Sequence, residues 1–304
     1  MGIAEGKAWK GHRVSLVLGS GGARGLAHIG IIRWLEREGY SIESIAGASM
    51  GALVGGIYAA GHLETYSNWV CALRRTDVLR FLDLSFRAGG LFKGDRIMDT
   101  LREMVGEHVI DDLPLAYTAV ATDIDRQREV WISEGPLFDA IRASIAVPTI
   151  LTPHDYLGLT LLDGGLLNPV PIAPTFRDFT DLTIAVNLNG EPTSAETLPA
   201  VSAREDREGA DRDLRSRIQQ FLDTVGESFH DSAERDLGVF ELLSRSFETM
   251  QNAIAAVKLA AYAPDVLIEI PRDACGSYDF YRAREMIEVG NQRVENAVRG
   301  TDGP

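Results

Sequence analysis

Gly47-Ala48-Ser49-Met50-Gly51 restricts the fold of this chain more than any other short stretch. It is a Gly-x-Ser-x-Gly pattern. For that pattern to carry chemistry, a serine must sit on a sharp turn that joins a strand to a helix. Side chains two positions away on either side would collide across such a turn, so both positions are glycine. The hydroxyl is then exposed at a helix N-terminus, where the helix dipole and free N–H groups favour a nascent alkoxide. A bare match is common by chance, and the context gives it meaning. Ile42 to Ala48 reads as a buried strand, and Met50 to Ala60 as a helix of small residues closed by Gly61.

One strand–helix unit earlier the pattern recurs with a different turn. Val14-Ser-Leu-Val-Leu18 suits a buried parallel strand. Leu26, Ile29, Ile31, Ile32 and Leu35 alternate with Arg33, Glu36 and Arg37 as an amphipathic helix stopped at Gly39. Between them lies Gly19-Ser-Gly-Gly-Ala-Arg-Gly25. Such a loop can cradle a dinucleotide phosphate at a helix N-terminus, or converge its backbone N–H groups on a developing oxyanion. The dinucleotide fingerprint would need glycine where Ser20 stands. Glu36, Glu38 and Glu43 are too ordinary to mark a ribose contact. The loop by itself does not choose.

Strand, glycine turn, helix, strand, sharp turn, helix is the start of an α/β sheet. Tyr117 to Thr122, Leu182 to Leu188, and Val266 to Ile270 before Pro271 add buried strands. Ala203 to Arg217, rich in alternating charges, reads as an exposed connection. Two apolar stripes follow, Ile218, Phe221, Leu222, Val225 and Phe229, then Phe240, Leu243, Phe247, Met250, Ile254 and Val257. Both read as core-facing helix. Their position before a strand keeps them in the same domain.

A serine nucleophile needs a base. None of the six histidines has a suggestive setting, though His154 lies in the loop-like Thr152-Pro-His-Asp155. Leu161-Leu-Asp163-Gly164-Gly165 instead places a carboxylate between an apolar run and two glycines. Taken alone it is a plain turn. No His, Asp, Glu or Cys spacing suggests a metal site.

Together the three segments resemble the patatin-like phospholipase family, in its bacterial branch related to the catalytic domain of neuropathy target esterase. Leu16 to Gly30, Ala121-Thr-Asp123, Ile141-Arg-Ala-Ser144 with Pro148, and Asn168-Pro-Val-Pro171 agree with it, and the likeness runs from Val14 to about Leu188. The resemblance implies a three-layer α/β/α fold around a central, mostly parallel sheet. It implies Ser49 as nucleophile and Asp163 as base in a dyad without histidine. Gly21, Gly22 and Ala23 would form the oxyanion hole, and Gly19, Arg24, Gly25, Gly47, Gly51, Gly164 and Gly165 would support the motifs. No cofactor is implied, and the expected substrate is a phospholipid, lysophospholipid or other acyl ester. Ser20 departs from the glycine found in many relatives. Arg24 could meet a lipid phosphate, polarise the site or pair with a structural acid. The expected organisation is one hydrolase domain over 1–304, with a core of about 13–190 and a helical and strand extension of about 216–304. The alternatives are a regulator that binds anions or lipids without turnover and, more remotely, a dinucleotide-dependent oxidoreductase.

Charge narrows the partners. A net charge of -14 argues against nucleic acid. The N-terminus lacks the apolar stretch of a secretory signal, and no run reaches a membrane span, so the expected location is cytoplasmic, peripheral to a membrane at most. Two cysteines, Cys71 and Cys275, read as reduced thiols. Between Tyr66 and Lys93, apolar residues including Trp69, Leu73 and Val78 mix with Arg74, Arg75, Arg80, Arg87 and Lys93. That composition suits either a sheet-packed segment or a cap over the Ser49 cleft facing lipid. Oligomeric state is left open.

Overall fold

The computed structural model describes residues 11–81, 94–148, 150–193 and 230–300. In chain order its strands are β1 (Arg13–Leu18), β2 (Ser41–Ala48), β3 (Ala116–Asp123), β4 (Arg128–Ile132), β5 (His154–Tyr156), β6 (Leu159–Asp163), β7 (Leu182–Gly190) and β8 (Val266–Pro271). Its α-helices are α1 (Ala27–Arg37), α2 (Met50–Ala59), α3 (Leu63–Ala72), α4 (Arg75–Phe81), α5 (Asp95–Val105), α6 (Leu137–Ser144), α7 (His230–Ala261) and α8 (Ala283–Arg299).

Neighbouring strands run parallel in the order β3-β2-β1-β7-β8. On the far side of β3 the sheet turns antiparallel: β4 and β6 both pair with β3, and β5 pairs with β6. This is the mostly parallel sheet with flanking helices that the strand–turn–helix repeats predict. The loops after β1 and β2, and the turn after β6, lie next to one another because β3 joins β2 on one edge and β6 on the other. Open α/β sheets place ligands beyond the carboxyl ends of their parallel strands.

Period-two alternation along β1 explains the layering. Val14, Leu16 and Leu18 enter the large core, which also holds Ile29, Ile32 and Leu35 of α1, Leu53 and Ile57 of α2, and Phe138 of α6. Val17 points the other way, into a smaller cluster with Ala185, Val170, Ile172 and Ala255 of α7. One strand thus feeds two hydrophobic layers, each covered by helix.

The predicted strands and the first two helices form as read. The sequence reading missed β4, β5, α3 to α6 and α8, and it misassigned one helix face. Of the stripe ending at Met250 and Val257, those two side chains are 55% and 69% exposed, whereas Gln251 and Ala255 are buried. The inward face is set by what fits there, a small residue against Val17 and Val170 and an amide near the site, and not by apolar count. The Ala203–Arg217 connection, the helix read from Ile218 to Phe229, and 82–93 lie outside the described residues. By contact the chain separates into two compact units, Met1–Pro192 with Met250–Pro304, and Thr193–Thr249. From His230 on, the second is helical, with Ser246 and Thr249 hydroxyls bonded back to the carbonyls of Leu242 and Arg245. Cys71 is half-buried, Cys275 is buried, and both are free thiols. Among the described residues no helix is long and apolar enough to cross a membrane.

Candidate active site

Ser49 sits between β2 and α2 with φ 55° and ψ -123°, a backbone state that a non-glycine residue adopts only under constraint. The constraint is visible. A Cβ on Gly51 would lie 1.9 Å from the Leu18 carbonyl oxygen, and one on Gly47 would lie 2.5 Å from the Ala52 nitrogen. Only glycine lets β1, β2 and the start of α2 approach this closely. The Ser49 N–H donates to Ser144 Oγ at 2.9 Å, and the Ser144 hydroxyl donates onward to the Val120 carbonyl at 2.6 Å. Ser144, at the end of α6, therefore pins the strained turn to the end of β3. The motif resemblance included Ser144 but attached no role to it.

Asp163 ends β6 and is fully buried. Its Oδ1 accepts from the Gly165 N–H at 2.7 Å, its own N–H donates to the Ala146 carbonyl at 2.9 Å, and Thr122 Oγ1 donates to its carbonyl at 3.0 Å. The backbone is thus held on three sides. Oδ2 has no aligned hydrogen-bond partner, yet the Ser49 hydroxyl lies near enough to favour the ionised form. Loose alignment of this kind is common for a nucleophile and base before substrate arrives. Burial pushes the Asp163 carboxyl up to about 7, against the pull of Ser49 and the Gly165 amide. Gly164 has no room for a side chain, since a Cβ would stand 2.0 Å from the Val120 carbonyl oxygen.

The glycine-rich loop follows β1 and enters a single-turn 3-10 helix, Gly22–Leu26. Gly19 donates its N–H to Val186 at 3.1 Å, and Ser20 donates to Pro169 at 2.8 Å. Among the described residues the Gly21 and Gly22 N–H groups have no acceptor, and Gly22 lines the cavity in front of Ser49. Gly22 has φ 59°, and a Cβ there would lie 2.4 Å from the Ser277 carbonyl oxygen. Ala23, expected as a third free donor, differs: its N–H is already given to the Ser277 carbonyl at 2.9 Å. The reason is that the segment after β8 lies directly on the loop. Arg24 is buried, donating from Nε to the Gly21 carbonyl at 3.1 Å and from Nη1 to the Arg272 carbonyl at 3.0 Å. These bonds clamp the loop to the segment after β8, a role that was not among those the sequence suggested. Gly25 lets the loop close on α2, with Met50 Cβ 2.4 Å from where its own Cβ would be.

In front of Ser49 and Gly22 opens a cavity of about 160 Å³. Its walls are apolar: Leu53 from α2, Tyr66 and Trp69 from α3, Val78 from α4, Leu101 from α5, and Ile145 after α6. The basic, aromatic segment read from Tyr66 onward therefore borders this cleft through its described part. Among the described residues no histidine lines the cavity. His154 lies out on β5, its ring 6.4 Å from that of Tyr156. His28 is the histidine nearest the loop; it is fully buried and its Nε2 meets the Gly19 carbonyl at 2.9 Å. Burial lowers its pKa to about 4, so it is neutral and Nε2–H is the donor. No group of three or more His, Cys, Asp or Glu residues among those described could hold a metal ion. The arrangement can attack a carbonyl from Ser49, take the proton at Asp163 and meet a developing oxyanion with two amides.

Residues 16–176 match the family model described as patatin-like phospholipase. An uncharacterized NTE family protein of Mycobacterium tuberculosis is 40% identical over 332 residues, covering 94% of this chain and 91% of that protein. Lysophospholipase NTE1 of Yarrowia lipolytica is 32% identical over 186 residues; the match covers 59% of this chain but only 13% of that longer protein. In fold, the chain is similar to VipD from Legionella pneumophila, with a TM-score of 0.55 at 14% identity, covering 95% of this chain and 67% of that one.

Proposed function

The chain belongs to the patatin-like phospholipase family and is a lipid ester hydrolase; we propose that it cleaves an acyl ester with Ser49 as nucleophile and Asp163 as its base. The observation that carries this reading is the pairing of a strained serine at the start of α2, which opens on an apolar cavity, with a fully buried carboxyl that the Ser49 hydroxyl reaches.

The steps follow from the site. Asp163 in its ionised form accepts the Ser49 proton as Oγ attacks the ester carbonyl. An ordinary aspartate, with a pKa near 4, is a feeble base for an alcohol; one raised to about 7 sits close to neutral pH, where a base works best. The Gly21 and Gly22 amides, unbonded among the described residues, receive the oxyanion, with the α2 N-terminus adding its dipole at Ser49. Asp163 returns the proton to the departing alcohol. Water then releases the acyl group, with Asp163 again as base. Among the described residues the cavity walls offer an acyl chain an apolar site and no charge. The substrate is accordingly a phospholipid, lysophospholipid or simpler acyl ester. Approach to a bilayer is peripheral, through α3, α4 and the exposed Arg74 and Arg75.

The reach of Gln251 and Ser277 to the loop supports including the C-terminal extension in the same hydrolase. A fluorophosphonate probe tests the central assignment. Wild-type protein should be labelled at Ser49, and Ser49→Ala should lose both label and ester hydrolysis while unfolding at the wild-type temperature. Substantial turnover by a folded Ser49→Ala protein overturns the assignment.

A further inference from the structure

Behind the Asp163 turn three polar atoms from separate parts of the chain crowd one point. A Cβ on Gly165 would stand 2.2 Å from Gln251 Nε2, 2.5 Å from Ser20 Oγ and 2.9 Å from Asp163 Oδ1. Gln251 comes from α7, well beyond the span of the family match. Ser20 comes from the glycine-rich loop. Gln251 Nε2 donates to Ser20 Oγ at 3.2 Å, and both side chains are buried, 4% and 3% exposed. The Ser20 main chain is tied to the same neighbourhood, with its N–H on the Pro169 carbonyl at 2.8 Å, just past the Asp163 turn.

Each of these contacts has a chemical consequence. The Gly165 N–H bonded to Asp163 Oδ1 belongs to the residue against which Ser20 and Gln251 press. Their side chains therefore set where that amide, and with it the carboxylate, can lie. Ser20 is also the residue before Gly21, whose N–H is an oxyanion donor in the mechanism above. One hydrogen-bonded pair thus joins the loop that holds the oxyanion to the turn that holds the base.

We propose that Ser20 and Gln251 act as a unit of positioning residues, holding the distance between the Gly21–Gly22 amides and the Asp163 carboxylate at the value the acyl-transfer step needs. This rests on the reading of Ser49 and Asp163 as nucleophile and base. The groups facing Asp163 are Ser49 from the β2–α2 turn, Thr122 from β3, the Gly165 amide, and Ser20 and Gln251 behind it. Among the described residues no charged side chain acts on the Asp163 carboxyl. A charge introduced at position 251 would thus be felt there without competition.

The test is steady-state hydrolysis of a soluble short-chain ester across pH 5 to 9 for wild type, Gln251→Leu, Ser20→Gly, their double variant and Gln251→Glu. Gln251→Leu and Ser20→Gly should each lower kcat by roughly tenfold with KM nearly unchanged, because a small misplacement acts on the chemical step. The double variant should be no slower than the slower single variant, since either change already breaks the unit. Gln251→Glu keeps the shape but adds a negative charge beside Asp163, so the acid limb of kcat/KM should move to higher pH. Unchanged kcat in both single variants, losses that multiply in the double variant, or an acid limb that stays put in Gln251→Glu each overturns the proposal. If Gln251→Leu fails to fold, Ser20→Gly and Gln251→Glu decide it. Fluorophosphonate labelling of wild type, run alongside, separates this outcome from failure of the parent reading: labelling and turnover that survive Ser49→Ala would remove the dyad itself.

Discussion

Replacing Asp163 by asparagine should make the protein more stable at alkaline pH and inactive at every pH. The native carboxyl is raised to about 7 by burial, whereas an unfolded aspartate titrates near 3.8. Between those two values the folded protein holds a proton that the unfolded chain has released. Stability therefore falls as pH rises from about 4 to about 7 and then levels off. At about 1.4 kcal/mol per pH unit, the buried charge destabilises the wild type at pH 8 by about 4 kcal/mol relative to a neutral group. Asparagine keeps the shape, and its carbonyl can still accept the Gly165 N–H. At pH 4, where the wild-type carboxyl is already neutral, the two proteins should unfold alike. At pH 8 the variant should gain most of that difference, a rise of several degrees at about 2 °C per kcal/mol for a chain of this size. Thermal unfolding at both pH values, with ester hydrolysis beside it, makes the comparison. If Asp163→Asn lowers stability equally at pH 4 and pH 8, Asp163 is not an uncompensated buried carboxylate and the account of its basicity fails. In the same wild-type protein, kcat/KM should fall about tenfold per pH unit below 7, as the base becomes protonated.

Three further outcomes follow from the same geometry. Along a series of straight-chain esters, kcat/KM should rise by about fourfold for each added methylene, about 0.8 kcal/mol apiece, until the cavity is filled; a flat series would mean the acyl chain lies elsewhere. His154→Ala should hydrolyse esters at close to the wild-type rate because that ring is out on β5; loss of turnover in a folded variant would point to a hidden triad. Arg74→Glu combined with Arg75→Glu should weaken binding to anionic vesicles, by about 1 kcal/mol or more per residue, and spare a small soluble ester. Unchanged vesicle binding, or loss of both activities together, would remove these arginines from any docking role.

Much of the site is legible in sequence because its constraints are local. Gly47 and Gly51 are required by atoms within the same turn or one strand away, and a strand–serine–helix pattern announces that turn without any knowledge of the rest. The same holds for the buried strands β1, β2, β3 and β7, whose mostly apolar or small residues reflect burial on both faces. Asp163 lay between. Its Asp-Gly-Gly turn is ordinary by itself and gained a meaning only beside the other two motifs.

What the chain alone did not determine is whatever depends on segments far apart in sequence. Burial of Asp163 comes from β3, β6 and α6 closing around it, and no local pattern encodes a desolvated carboxyl. Ala23 read as a free donor because its amide is free in the loop itself; the Ser277 carbonyl that takes it arrives from more than 250 positions away. Gln251 was invisible for the same reason: a glutamine followed by Asn252 looks like the solvent side of a helix. Hydrophobic periodicity reports which face an isolated helix would bury. The face actually buried is chosen by the partner, and here the partner needed an amide at Gln251 and a small side chain at Ala255, leaving Met250 and Val257 in water.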